Sequence, residues 1–269
     1  MKSLKCLLIL ALAFGCLRPA TAAVTDREWE IDGAGRTGIV CTPESGVQQP
    51  AEGWPLVFVF HGHGGSAQQI RRQFQTDTLW PAAVVVYLQG LPTVGQLTDP
   101  QGARAGWDCV SEPDKNKDIR LYDLVLKDLT DHQHIDPKRV FSTGHSNGGG
   151  FTFALWARRG ETLAAVAASS SIARPVDWPL LKPKPALMSS GRSDPLVKFD
   201  WQSQMIDHLK KVNGVAADGK PWGRDGTWYA SEHATPLATI IHDGGHPPPK
   251  DLGQRIVEFF KTVSPGQAT

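Results

Sequence analysis

The chain has 269 residues, with 28 lysines and arginines against 27 aspartates and glutamates, 41% hydrophobic and 20% charged residues, and a formal charge of +1. A balance this close to neutral excludes the strongly basic face that nucleic acid or an anionic membrane surface attracts, so neither is an expected partner. The length is ample for a buried core, and the composition is that of a globular domain.

Met1-Lys-Ser-Leu-Lys5, the apolar run Cys6 to Phe14 and the small residues Ala20-Thr-Ala22 have the order of a secretory signal, and the apolar run is too short for a stable membrane anchor. Lipoprotein processing at Cys16 is the alternative, and the bulky Phe14 opposes it. Cleavage after Ala22 removes Lys2, Lys5 and Arg18 and no acidic residue, which turns the charge of +1 into −2. The expected mature protein is therefore residues 23–269, secreted or periplasmic and without a membrane segment. Cys6 and Cys16 leave with the signal. Cys41 and Cys109 remain, and an even pair in an exported chain predicts a disulfide.

Residues 27–42 are expected to supply antiparallel edge strands. The runs Pro55 to Phe60 and Ala82 to Leu88 are apolar almost throughout, as in strands covered by helices on both faces. Weaker runs follow at residues 140–143, 163–168, 186–190 and 238–241. Helix-period stretches lie between them at residues 68–74, 119–132, 151–158, 201–212 and 253–263. Alternating strands and helices predict one α/β domain with a mostly parallel sheet and crossover helices. No repeat or Pro/Gly/Ser linker divides it, and residues 171–185 are too few for a helical lid.

Ligands of such sheets sit at the carboxyl ends of the strands, and the chemically notable residues cluster there. Gly144-His145-Ser146-Asn147-Gly148 lies between a predicted strand and a predicted helix, the context of a nucleophile elbow, where neighbouring backbone leaves no room for a Cβ at the flanking glycines. A serine hydroxyl needs a base and a group to orient that base. The required order of Ser, Asp and His is met by Ser146, Asp194 in Gly191-Arg-Ser-Asp194, and His246 after Gly244-Gly245. Asp177, Asp200 and Asp243 are rival aspartates, but only Asp194 follows the strand at 186–190 by a short turn.

Acyl transfer also needs amides aimed at the developing oxyanion. The backbone N–H of Asn147, directly after the nucleophile, is one expected donor. The loop His61-Gly-His-Gly-Gly65 supplies the other, His63 first and Gly64 second, with Ser66 capping the following helix. That loop has neither a P-loop lysine nor the G-x-G-x-x-G spacing of a phosphate cradle. Trp107, Gly64 and His145 are expected to line the substrate pocket, with Trp178 and Trp201 as weaker candidates. No metal site is expected. His242 and His246 share an H-x-x-x-H spacing without a glutamate and among helix-opposing glycines, and the calcium-like residues 114–118 lack the required glycine and terminal glutamate. A solvated turn capping the next helix is the simpler account of that segment.

Together, His61-Gly-x-Gly-Gly65, Gly106-Trp-x-Cys109, Gly144-His-Ser-Asn-Gly-Gly149, Gly191-x-x-Asp194 and Gly244-Gly-His246 resemble the secreted feruloyl esterase and polyhydroxybutyrate depolymerase type of α/β-hydrolase. The resemblance spans most of the mature chain. It implies an α/β-hydrolase fold without a sizeable lid, and cofactor-free hydrolysis of small or polymer-linked esters through an acyl-enzyme. Feruloyl or acetyl esters of plant polysaccharide come first, and polyester or its oligomers second. A non-catalytic binding protein on the same scaffold is the reading from another class, but such proteins typically lose the serine or histidine, and both are present. The mature chain departs from larger members in having only two cysteines and no separate polymer-binding domain.

Overall fold

In the computed structural model, which describes residues 23–264, the chain opens with a β-hairpin. Its strands β1 (Ala23–Ile31) and β2 (Ala34–Thr42) are joined through Asp32 and Gly33 at φ of 54° and 74°, the left-handed pair that a tight hairpin turn requires. The expected signal, with Cys6 and Cys16, lies outside the described residues. After β3 (Trp54–Phe60) come the helices α1 (Ala67–Phe74) and α2 (Thr76–Leu79) and then β4 (Val84–Leu88). The short strands β5 (Leu91–Pro92) and β6 (Ala105–Gly106) pair with each other as a separate arm. Beyond it follow α3 (Lys117–Gln133), β7 (Ile135–His145), α4 (Asn147–Arg159), β8 (Ala165–Ser169) and β9 (Ala186–Gly191). The chain continues through α5 (Phe199–Asn213), β10 (Lys220–Pro221), β11 (Gly226–Tyr229), β12 (Leu237–His242) and α6 (Leu252–Val263).

Ten strands form one sheet in the order β1-β2-β4-β3-β7-β8-β9-β12-β11-β10. The six from β4 to β12 are parallel, and the pairs at each edge are antiparallel. This is the α/β-hydrolase architecture, with helices on both faces. Between β8 and β9 there is only a single six-residue 3-10 helix, Pro175–Leu180, so this connection carries no helical lid. The antiparallel pair β10 and β11 escapes sequence reading: its strands have two and four residues, and none of the six is fully buried, so neither a period nor an apolar run marks them.

Alternation along each strand divides the core in two. On β3, Leu56, Phe58 and Phe60 join Ile119, Tyr122, Phe151, Leu155, Met205 and Leu209 of α3, α4 and α5. Val57 and Val59 point the other way, onto Ile70 and Phe74 of α1 and Ile256 and Phe260 of α6.

That division corrects the expected disulfide. Val40 faces the α3–α5 side, so its neighbour Cys41 faces the α1–α6 side, whereas Cys109 packs on the α3–α5 side. The sheet separates the two thiols, both cysteines are free, and side chains on opposite faces cannot meet the geometry a disulfide needs. Burial pushes the Cys41 thiol up to about 12 and also raises that of Cys109, which keeps both protonated at neutral pH.

Candidate active site

β7 ends at His145 and α4 begins at Asn147, so Ser146 alone makes the turn, at φ 55° and ψ −120°. A non-glycine residue there carries strain on the order of 1–3 kcal/mol, held in place by its surroundings. The flanking glycines make the turn sterically feasible. A Cβ on Gly144 would sit 2.4 Å from the Gly148 carbonyl carbon, and one on Gly148 would sit 2.3 Å from the Phe60 oxygen. The Ser146 N–H bonds the Ser169 carbonyl at 2.8 Å. Its side chain caps no helix amide, which leaves Oγ free to point outward.

Three side chains that are distant in sequence meet at this turn. His246 Nε2 lies 2.8 Å from Ser146 Oγ, and His246 Nδ1 lies 2.9 Å from Asp194 Oδ2. A carboxylate can only accept, so Nδ1 carries the hydrogen and Nε2 is left to accept from the serine. The Asp194 side chain is fully buried, and its charge is matched by hydrogen bonds. Oδ1 accepts the N–H groups of Leu196 and Val197 at 2.8 and 3.0 Å, and Oδ2 accepts Gln202 Nε2 at 3.2 Å in addition to the imidazole. Ser170 Oγ donates to the His246 carbonyl at 2.8 Å and steadies its loop. The rival aspartates lie elsewhere: Asp177 is buried in an ion pair with Arg158 at 2.9 Å, and the Asp243 side chain is in solvent.

The loop after β3 lies against the elbow, since a Cβ on Gly62 would be 3.4 Å from Ser146 Cβ. In this loop the N–H of Gly64 is used by the Ala105 carbonyl at 2.7 Å, and that of Gly65 by Gly62 at 2.9 Å. The His63 N–H has no acceptor among the described residues. Asn147, at the first position of α4, likewise has a backbone N–H without an intrahelical acceptor. Gly64 is thereby excluded as a donor, whereas no described acceptor occupies the N–H groups of His63 and Asn147. As expected, Ser66 caps α1 by accepting the Gln69 N–H at 3.2 Å.

A cleft of about 1080 Å³ opens beside Ser146, lined in part by His63, Ile172, Trp178, Leu196, Val197 and Trp201. A second cavity of about 370 Å³ lies on the α1 side, between residues 61–65, Gln69, Gln73 and Pro247-Pro248. His63, His145 and His246 border both, and Gly64 borders the smaller one. His145 packs against His246 at a ring separation of 4.9 Å, and burial first, then the neighbouring His246, pushes its pKa down to about 3. It is therefore a neutral wall of the pocket.

Trp107 borders the larger cleft as expected, but not with an exposed ring face. Its side chain is 1% exposed, packed between Phe60 and Phe151, and its indole N–H donates to the His61 carbonyl at 2.9 Å. The ring braces the site from the core, and the residue presents almost no surface to the cleft it borders. His61 is also a brace: its Nε2 accepts the Gly90 N–H at 3.0 Å, and burial lowers its pKa, which favours the neutral ring. The calcium-like segment caps α3, with Asn116 Oδ1 accepting the N–H groups of Asp118 and Ile119, while Asp118 turns inward to Arg36 at 2.6 Å. His242 accepts the Gly244 N–H at 3.1 Å. Among the described residues no three His, Cys, Asp or Glu side chains cluster as metal ligands would, and no helix is long and apolar enough to cross a membrane.

Three features of the site were not legible in sequence. Gln202 bonds Asp194 across eight residues, the His63 imidazole bonds Asp99 Oδ2 at 2.9 Å, and the Asn147 side chain bonds the Trp107 backbone. Each joins residues whose separation follows no secondary-structure period, so no sequence signal identifies them.

No family model matches the chain. It is 31% identical over 194 residues to the putative esterase NocK of Nocardia uniformis subsp. tsuyamanensis, covering 69% of this chain and 53% of that protein, so it spans about half of that relative's length. Feruloyl esterase D of Neurospora crassa is 27% identical over 237 residues, covering 83% of this chain and 78% of the relative. Among solved structures, an acetyl xylan esterase from Aspergillus awamori superposes with a TM-score of 0.65 at 12% identity, covering 88% of this chain and 98% of that one. An identity that low speaks for the shared fold alone.

Proposed function

We propose that the chain, which is similar to feruloyl esterases over most of its length and has the α/β-hydrolase fold, is a serine esterase that cleaves carboxylic esters through an acyl-enzyme on Ser146. The observation that carries this reading is the continuous hydrogen-bonded row from Ser146 through His246 to the buried Asp194, at 2.8 and 2.9 Å, at the mouth of an open cleft.

His246 Nε2 takes the hydroxyl proton as Ser146 Oγ attacks the ester carbonyl. Asp194 holds the Nδ1–H and stabilises the imidazolium that forms. The carbonyl oxygen becomes an oxyanion and accepts the N–H groups of His63 and Asn147, which a folded site presents without the reorganisation that water would need. His246 then passes its proton to the departing alcohol. A water molecule, deprotonated by the same nitrogen, attacks the acyl-serine, and His246 returns that proton to Ser146 Oγ as the acyl–oxygen bond breaks and the acid leaves.

A wide cleft with Trp178 and Trp201 among its walls suits an aromatic or acetyl ester carried on a bulky polysaccharide, and we assign feruloyl or acetyl esters as the substrate class. The export that the N-terminal sequence predicts accords with such a substrate. A second reading, hydrolysis of polyester or its oligomers, has one observation in its favour: Val94, Leu97, Val110, Leu196 and Trp201 are exposed apolar residues at the cleft mouth. Rates on methyl ferulate, acetylated xylan and short hydroxybutyrate oligomers, measured side by side, discriminate between the two. Ser146→Ala is expected to abolish hydrolysis of p-nitrophenyl acetate. Retention of more than a few per cent of wild-type turnover would refute the nucleophile, and failure of a fluorophosphonate probe to label the wild type would favour a non-catalytic scaffold.

A further inference from the structure

The backbone amides of His63 and Asn147 belong to different loops, and both loops are gripped by one segment, residues 99–107 of the arm that leaves the sheet after β4. Asn147 Oδ1 accepts the Trp107 N–H at 2.7 Å, and Asn147 Nδ2 donates to the Trp107 carbonyl at 3.0 Å. The asparagine side chain thus pairs with both polar groups of one peptide residue, as a neighbouring strand would. On the other loop, His63 Nε2 donates to Asp99 Oδ2 at 2.9 Å, and the same oxygen accepts the Arg104 N–H at 2.9 Å. Both members of this pair are buried, with side chains 8% exposed. The Gly64 N–H adds a backbone bond to Ala105, and the Trp107 indole adds one to His61.

Gly106 threads between the two grips. A Cβ there would lie 2.4 Å from His63 Nδ1 and 3.0 Å from Asn147 Oδ1. The imidazole and the carboxamide therefore press on the same peptide, and only a residue without a side chain lets both close on it. His63 Nδ1 is buried with no hydrogen-bond partner, an uncompensated polar atom whose location is set by the Asp99 bond and the glycine contact.

We propose that the side chains of Asn147 and His63 are positioning residues for ester hydrolysis, which grip the single strap of residues 99–107 so that their own backbone N–H groups keep a fixed aim at the oxyanion. This rests on the serine-esterase reading above. Neither side chain touches the reacting atoms. Each acts on the amide of its own residue, and the strap couples the two amides although their loops are far apart in sequence. An oxyanion exists only after attack, so the strap lowers the barrier without tightening substrate binding.

The test measures kcat and KM on p-nitrophenyl acetate, affinity for a trifluoromethyl ketone that forms a tetrahedral adduct, and thermal midpoint. The variants are Asn147→Ala, His63→Ala, His63→Gln and Asp99→Ala, with Ser146→Ala as reference. Deleting an oxyanion donor costs about 100- to 1000-fold in kcat, and loosening one that remains is expected to cost about 10- to 100-fold. The expected pattern is a fall in kcat with KM within twofold, an equal fall in ketone affinity, and partial rescue in His63→Gln, whose amide nitrogen can reach the position of the imidazole Nε2. Asp99→Ala leaves both donor residues intact and tests the same point if Asn147→Ala does not fold. Wild-type turnover that survives Ser146→Ala would overturn the esterase reading and the strap together. Loss in Ser146→Ala, with kcat in folded Asn147→Ala, His63→Ala and Asp99→Ala within twofold of wild type, would overturn the strap alone. So would losses that track only the fraction of folded protein, or that appear in KM.

Discussion

Gln202→Leu separates what orients Asp194 from what merely surrounds it. Gln202 is fully buried, and its Nε2 donates to Asp194 Oδ2 at 3.2 Å and to the Val197 carbonyl at 2.6 Å, while its Oε1 has no partner. Leucine has a similar volume and removes both polar atoms, Nε2 and Oε1. The lost bond to the carboxylate is charge-assisted, worth about 1.5–3 kcal/mol, but at 3.2 Å it belongs at the low end. Orphaning the Val197 carbonyl adds about 1–3 kcal/mol, and removing the unpartnered Oε1 returns a comparable amount. The expected net cost is about 1–2 kcal/mol, which lowers the thermal midpoint by about 2–8 °C in a chain of this size. Activity should fall much less than in Asp194→Asn, where loss on the order of 10⁴ is expected from the wrong imidazole tautomer. Three bonds still hold Asp194, from His246, Leu196 and Val197, so kcat should drop by less than about tenfold, under 1.4 kcal/mol of barrier. Thermal melts and steady-state rates on p-nitrophenyl acetate measure both quantities. A folded variant that lost a thousandfold in kcat would refute the view that backbone amides anchor the carboxylate.

The thiols and the buried histidines make two further predictions. Alkylation of the unfolded, unreduced protein should modify both Cys41 and Cys109, whereas in the folded protein burial keeps Cys41 slow to react. A Cys41–Cys109 linked peptide by mass spectrometry would refute this. His145 is held at about 3 against 6.5 for a free imidazole, so between those values the unfolded chain binds the proton that the folded chain refuses. Stability is therefore expected to fall as the pH drops below about 6.5, by up to about 1.4 kcal/mol per pH unit from this residue, and the buried His61 acts in the same direction. Urea midpoints at pH 7.5 and 5 measure the loss, and His145→Gln should reduce it. An unchanged difference in that variant would refute the assignment.

Local pattern was enough for much of this protein. Continuous apolar runs marked the parallel strands because both faces of β3 and β4 are covered, and the glycines around Ser146 marked the elbow because backbone there leaves no room for a Cβ. The order of Ser146, Asp194 and His246, each just past a predicted strand, singled out the residues that the fold brings within hydrogen-bonding reach. These are consequences of short-range sterics and burial, which a sequence carries position by position.

Tertiary structure decided which long-range partners meet. Cys41 and Cys109 looked like a pair until strand alternation sent Cys41 to the opposite face of the sheet. Trp107 borders the cleft as its place in the chain implied, but packing between Phe60 and Phe151 turns its ring into the core. The grips of Asn147 on Trp107 and of His63 on Asp99 span 40 and 36 residues. They depend on the path of a loop back across the sheet, and no periodicity in the chain encodes such a path. The residue types of the site follow from the local chain, but the aim of its amides follows from what that loop touches when it returns.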